Sequence, residues 1–455
     1  MAFTIDNAPL SFRHYFITGV ASLGQLIGTG LATLVSVIIP LYQLIAHPEL
    51  SSVMQGIVGA MDLIGIMVGS TILGKLSDKY GYLLFFRLCP LLICVSAIIS
   101  LLFPNLYVLI VCLFFMGFGI GGEYSLDSAY ISELMPTKWV FLMVGGAKAA
   151  SALGNILVAL ICFLMVRNWT DAELWPRLMW IMIVISGLMF MLRIKFWESP
   201  KWLLEHGDMK AAEIDTHHFL GSNVNISESD LPQQTVSNNS NGSQGSFLKR
   251  NWEKIIFTGL PWACEGLGVY GIGVFLPILV MALGLEHSTA HLSPLSNVVS
   301  SIEITLWISC IILPGFILGL CLINKVNAAK LQWIGFLLSA VSLLILLLAY
   351  NHHWAKWISI VAFMAFELFL NMGPHLITFV LPPKVYPVKD RGLGSGIAAS
   401  IGKVGAVLGV FFIPILLHAG GSNLVLIVSI VVMVIGALST ILFNPERKIK
   451  ALHQG

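Results

Sequence analysis

The sequence predicts an all-α integral membrane protein, with twelve transmembrane helices in two six-helix bundles. Three observations carry this. Of 455 residues, 57% are hydrophobic and only 11% charged, with a mean hydropathy of +0.88; soluble proteins carry about 25% charged residues. Apolar runs of the length that crosses a bilayer, about 20 residues, occur six times, then a polar interval, then six more. The runs are continuously apolar and far longer than barrel strands, which excludes a transmembrane β-barrel.

The first six runs fall at 15–45, 53–74, 83–104, 106–131, 141–166 and 175–197, and the second six at 255–284, 299–323, 331–350, 355–381, 392–418 and 421–443. This divides the chain into an N-terminal bundle (1–197), a central loop (198–254) and a C-terminal bundle with a short tail (255–455). Six plus six is the arrangement of two halves related by an axis along the membrane normal. An even number of spans puts both termini on one side. With both inside, twenty of the 25 lysines and arginines lie in cytoplasmic segments, Arg87 and Arg193 among them, against Arg167, Arg177 and Lys356 outside. The positive-inside rule therefore places both termini in the cytoplasm, in a plasma membrane or a bacterial inner membrane. No apolar run precedes the first span, so no cleaved signal peptide is expected.

The central loop is the one long hydrophilic segment. Its middle, Ser222–Ser246, is rich in Ser, Asn, Gln and Gly and is expected to lack a fixed fold. Ser199–His217 reads as one or two amphipathic surface helices. The sequons at Asn225, Asn238 and Asn241 lie on the cytoplasmic side, where glycosylation is not expected. The seven cysteines all sit in apolar segments without a CxxC pair, so they read as core residues rather than disulfides or a zinc site. No basic face outside the loops exists for nucleic acid. The glycine run at 117–122 lies mid-helix with no strand before it, which excludes a dinucleotide loop, and no Walker motif is present. Neither cofactor nor metal is expected, and the chain reads as no enzyme.

Charged residues inside the spans are the functional candidates, because charge at the bilayer centre costs roughly 2.5–3.5 kcal/mol even on lenient insertion scales. Glu123 follows Gly117, Gly119, Gly121 and Gly122, which strip side chains from one flank and admit another helix or a substrate. Its structural alternative is a carboxylate capping a neighbouring helix. Lys148 either neutralises Glu123 or attracts an anion. Glu265 is a proton carrier, a ligand or a packing residue; Lys403 pairs with Glu265 or binds an anion. Asp62, Glu303 and Glu367 relay protons or are satisfied in the interior, and His375 titrates near neutral pH or is structural.

Several segments resemble the major facilitator superfamily. Gly74-x-Leu-x-Asp78-Lys-x-Gly81 resembles its signature between the second and third helices, which implies a cytoplasmic gate in which Asp78 latches the halves. Tyr82 and Leu83 stand where a basic pair usually ends that motif. Glu198-Ser-Pro200-Lys-Trp202-Leu resembles the close of the sixth helix in the sugar-porter branch. Asn371-Met-Gly-Pro374-His-Leu-Ile-Thr378, Val385-Tyr-Pro387 and Gly396-Ile-Ala-Ala-Ser400-Ile-Gly-Lys403-Val-Gly405 resemble the phosphate:proton symporters. That resemblance implies proton coupling at Glu123 and places Tyr124, Trp262, Tyr270, Asn371 and Lys403 at its phosphate ligands. Trp262 and Tyr270 are eight apart and so nearly on one face. The family's seventh-helix aspartate falls at Gly266, with Glu265 adjacent; its first-helix acid is replaced by the polar Gln25 and Thr29.

The expectation is a monomeric secondary transporter working by alternating access, in which Glu123 or Glu265 carries a proton and Tyr124, Lys148, Trp262, Tyr270, Asn371 and Lys403 bind a small anion, inorganic phosphate first. A sugar, polyol or organic-acid porter is the alternative. A membrane nutrient sensor that binds without transporting is the reading from another class, and the loop carries no recognisable signalling module for it.

Overall fold

The computed structural model describes residues 4–46, 49–136, 138–220, 244–285, 293–323, 325–386 and 391–445, and every regular element among them is helical. Residues 221–243, with the three sequons, lie outside the described residues, while residues 244–246, expected to lack a fixed fold, begin a helix. The first half comprises α1 (Phe12–Ile45), α2 (Ser52–Tyr80), α3 (Tyr82–Leu102), α4 (Leu106–Leu134), α5 (Val140–Val166) and α6 (Met179–Arg193), the last entered through a 3-10 turn at Ala172–Leu178. In the second half α7 is Gln244–Gly266, prolonged by a π-helical turn at Leu267–Ile272 and by Leu276–Ala282. Next come α8 (Pro294–Ser309 with Ile312–Leu322), α9 (Ala328–Asn351) and α10 (Lys356–Leu370, a π turn at Asn371–His375, then Leu376–Val380).

The final helical run, Arg391–Leu442, has 52 residues. At 1.5 Å per residue that is about 78 Å, more than twice a hydrocarbon core of about 30 Å. It breaks at Gly420 and Gly421, where Gly421 takes φ 63°, so it forms two crossings, α11 (391–419) and α12 (422–442). Ten other helices are long and apolar enough to cross a membrane, giving twelve crossings among the described residues.

The chain divides into two compact units. One takes its residues from the chain up to Leu31, from Met61–Leu157 and from Pro176 through α6 and the loop helices; the other takes Ala32–Ala60, Val158–Trp175 and the C-terminal helices. In lipid no hydrophobic force pulls helices together, so close backbone approach through small residues has to do it. In the first unit α2 and α4 meet in this way: a Cβ on Gly117 would strike the Asp62 carbonyl, and one on Gly121 the Ile66 carbonyl. The glycine run thus admits a neighbouring helix. In the second unit α7 and α11 do the same, with Gly266 against the Gly402 carbonyl and Gly405 against Ala263.

Two amphipathic helices, Pro200–Glu205 and Met209–Leu220, follow α6. Ser199 caps the first, and Pro200 at its first turn gives up no needed N–H. The second inserts Phe219 into an aromatic cluster with Tyr130 and Trp197, and Arg13 Nη1 donates to the His218 carbonyl at 2.8 Å. The cysteines are unbridged. Cys89, Cys112, Cys162 and Cys264 are core residues as expected, but Cys321 lies on an exposed helix face.

Candidate functional site

Glu123 sits on α4 just past the glycine run and is wholly buried. Its partner is not Lys148. Arg193, at the end of α6, reaches into the unit and places Nη1 2.5 Å from Glu123 Oε2 and Nη2 3.4 Å from Asp127 Oδ1. Arg193, which the sequence counts among the cytoplasmic charges, is 0% exposed: two carboxylates one helical turn apart on α4 draw it inward. The guanidinium also lies 4.4 Å over the Phe86 ring and donates long bonds to the Phe86 and Val20 carbonyls. Gly24 of α1 closes the site; a Cβ there would stand 2.8 Å from Glu123 Oε2 and would collide with Asp127 Oδ2.

Beside this cluster, Lys148 Nζ of α5 lies 5.4 Å over the ring of Tyr124. The second unit repeats the arrangement, with Lys403 Nζ of α11 4.9 Å over the ring of Tyr270 on α7. Both lysines are half-buried. An ammonium over an aromatic face gains about 0.5–2 kcal/mol and is held in place by it. Each lysine stands five residues before a Leu-Gly pair, Leu153-Gly154 and Leu408-Gly409. The glycines have matching jobs, Gly154 against the Leu26 carbonyl of α1 and Gly409 against Leu267 of α7.

The two π turns carry the other candidates. Tyr270 lies in the first, and Asn371 opens the second, where Pro374 has no N–H to continue the α-helical ladder. Asn371 Nδ2 donates to the Glu367 carbonyl at 2.8 Å and to Glu367 Oε2 at 3.1 Å, and both side chains are buried. Glu265 Oε1 is 3.5 Å from His375 Nδ1, whose ring packs edge-on to Phe316. Trp262 packs its indole on Gly402 and meets Phe379 edge-on.

At the α2–α3 turn, Gly81 takes φ 91°, a conformation that L side chains rarely adopt, with Glu198 packed directly against it. The Glu198 carboxylate accepts the N–H groups of Tyr82 and Leu83, both at 2.9 Å, and so caps α3 from the far end of the half. Tyr82, standing in place of a basic residue, donates its hydroxyl to Glu133 Oε1 at 2.8 Å, and Ser199 also bonds Glu133. Arg87 binds the Ile194 and Phe196 carbonyls. Gly74 sits 3.5 Å from Ser125 by its Cβ position; the Asp78 side chain lies outside the described residues.

Sequence reasoning missed Asp127 and Arg193. The signal for Asp127 was its spacing of four from Glu123; Arg193, flanking Lys195 at a span's end, had none. The Lys-x4-Leu-Gly repeat was also legible.

Residues 12–454 match the family model for sugar (and other) transporters. The chain belongs to this family. Among relatives of this transporter, the inner membrane metabolite transport protein YgcS of Escherichia coli (strain K12) is 24% identical over 406 residues, covering 89% of this chain and 86% of that protein. A putative inorganic phosphate transporter 1-13 of Oryza sativa subsp. japonica is 24% identical over 428 residues, covering 89% and 83%. A structure of the xylose transporter XylE from E. coli superposes with a TM-score of 0.77 at 19% identity, covering 96% of this chain and 98% of that one. The fold is that of the major facilitator superfamily. The protein is a multi-pass membrane transporter, not an enzyme.

Proposed function

We propose that this transporter carries a small anion, inorganic phosphate first, together with protons. The observation behind the reading has a counterpart in each unit: an ammonium seated on a tyrosine ring, Lys148 on Tyr124 and Lys403 on Tyr270, with a buried carboxylate close by in sequence, Glu123 and Glu265. A lysine is a compact point charge suited to phosphate oxygens, and the tyrosine fixes it without neutralising it. Trp262 and Asn371 complete the binding set, and the glutamates couple the solute to protons. The Gly74, Asp78 and Gly81 segment serves as a gate. The six-helix halves 1–197 and 255–455 alternate in access, with both termini cytoplasmic in a plasma membrane or bacterial inner membrane.

Relatives named as phosphate transporters support the anion. A neutral sugar is the second reading, favoured by the Glu198-Ser-Pro200 segment and by a relative named glucose transporter GlcP. Uptake into proteoliposomes separates them. A charge-assisted hydrogen bond is worth about 1.5–3 kcal/mol, so Lys148→Gln and Lys403→Gln each lower phosphate uptake by about 10- to 150-fold. Sugar uptake that competes with phosphate and survives both substitutions would establish the sugar reading instead.

A further inference from the structure

We propose that Asp127, not Glu123 alone, holds the transported proton, as part of a three-residue group with Glu123 and Arg193 that is neutral only when it binds one proton. The inference rests on the proton-coupled reading above and names the group that performs it. Two carboxylates and one guanidinium, all ionised, sum to one negative charge. The three side chains are 0–1% exposed, and an uncompensated ion in such a place costs several kcal/mol. One proton removes the imbalance.

The geometry assigns that proton. Arg193 Nη1 lies 2.5 Å from Glu123 but its Nη2 lies 3.4 Å from Asp127, so Glu123 is the carboxylate the guanidinium neutralises. Glu123 Oε1 and Asp127 Oδ2 are both buried with no donor among the described residues, and the two carboxyl groups lie together against Gly24, where a single Cβ would stand 2.8 Å from Glu123 Oε2 and collide with Asp127 Oδ2. Two groups that only accept when ionised sit face to face in this way when one of them is protonated and donates.

The other ionisable groups from the surrounding helices leave this count unchanged. Arg87 of α3 is turned to the Ile194 and Phe196 carbonyls, Lys148 of α5 lies on Tyr124, and His14 near the start of α1 bonds Ser11. Asp62 of α2 accepts the Leu63 N–H. Cys89 of α3 packs on Gly122, and Tyr130 of α4 donates its hydroxyl to the Trp197 carbonyl at 2.9 Å. On α4, Glu133 bonds Tyr82 and Ser199. With the group sealed, its proton exchanges with water only in another conformation, as a carried proton requires.

The test uses the full chain in proteoliposomes with inorganic phosphate as probe. A one-unit inward proton gradient drives about tenfold accumulation by one-to-one symport. Asp127→Asn keeps the Glu123–Arg193 pair and loses the proton. Its accumulation falls to about onefold of the external level, while counterflow exchange is still measurable and keeps only the pH dependence that the phosphate probe's own ionisation imposes. A merely structural role would not remove the protein's own pH dependence. Tenfold accumulation by Asp127→Asn overturns the assignment and leaves the symport reading standing. Absence of proton-driven accumulation in the wild-type protein overturns the symport reading, and this assignment with it. If Asp127→Asn does not assemble, infrared spectroscopy decides: a protonated-carboxyl band at neutral pH that moves in Asp127→Glu supports the proposal. No band, or one that does not move, refutes it.

Discussion

Removing Arg193 is the sharpest perturbation of the N-terminal unit. In Arg193→Met the long apolar stem is kept and the guanidinium is lost, leaving Glu123 and Asp127 facing each other in a site that is 0–1% exposed. Breaking a buried ion pair from one side costs about 3–5 kcal/mol, because the surviving charge keeps its desolvation penalty without its partner. The stacking on Phe86, at 4.4 Å, adds about 0.5–2 kcal/mol. Denaturant unfolding in detergent micelles, followed by helical circular dichroism, measures the loss directly. The cost is largest at neutral pH and shrinks on acidification, since protons can then neutralise both carboxyls. Adding Glu123→Gln to Arg193→Met relieves part of the damage, with a coupling of about 0.5–3 kcal/mol between the two sites. A loss below about 1 kcal/mol at neutral pH, in the range of an exposed surface pair, would show that the cluster is not the buried electrostatic unit described here. So would a double variant no more stable than the single one.

Other substitutions probe the supports of the site. Glu198→Ala removes the cap on Tyr82 and Leu83 and lowers stability by about 0.5–2 kcal/mol; hydrogen exchange at the start of α3 should rise while that of α9 does not. Gly117→Ala drives a Cβ into the Asp62 carbonyl, and the forced separation of α2 and α4 costs about 1–3 kcal/mol in the same unfolding assay. Asp215, in the loop helix Met209–Leu220, has its carboxyl pushed up from the usual aspartate range by burial, partly offset by the Glu198 N–H. A carboxyl raised in the folded state binds its proton more tightly there than in the unfolded chain, so its contribution is present at low pH and lost as pH rises through the folded-state value. Asp215→Asn therefore removes a small fall in stability just above the ordinary aspartate range, and the pH profile of unfolding detects it. The effect is small because the group is half in water.

The spans were legible because crossing a bilayer demands about 20 apolar residues in a row, and no other local requirement imitates that. The expected run at 106–131 is α4, Leu106–Leu134, and the two runs at 392–418 and 421–443 flank the break at Gly420 and Gly421. The loop helices were legible from the Ser199-Pro200 start. What the sequence concealed is direction. Lysine or arginine at a span's end reads as an interface anchor, and only the packing of α1, α3 and α4 shows that Arg193 turns inward. The role of Lys148 was open between neutralising Glu123 and drawing an anion; Arg193 takes the first, and Lys148 lies over the Tyr124 ring instead. The π turns at Leu267–Ile272 and Asn371–His375 were hidden too, since a widened turn depends on neighbouring helices re-satisfying its backbone. The pairing of His375 with Glu265, across α10 and α7, has no local spacing that announces it.

The most direct test of proton-coupled anion transport is to load proteoliposomes with a pH-sensitive dye and add phosphate outside at equal pH and zero membrane potential. The account predicts that the lumen acidifies as phosphate enters, and that a protonophore abolishes accumulation against a gradient. Phosphate entry with no matching proton movement, or accumulation indifferent to the protonophore, would contradict it.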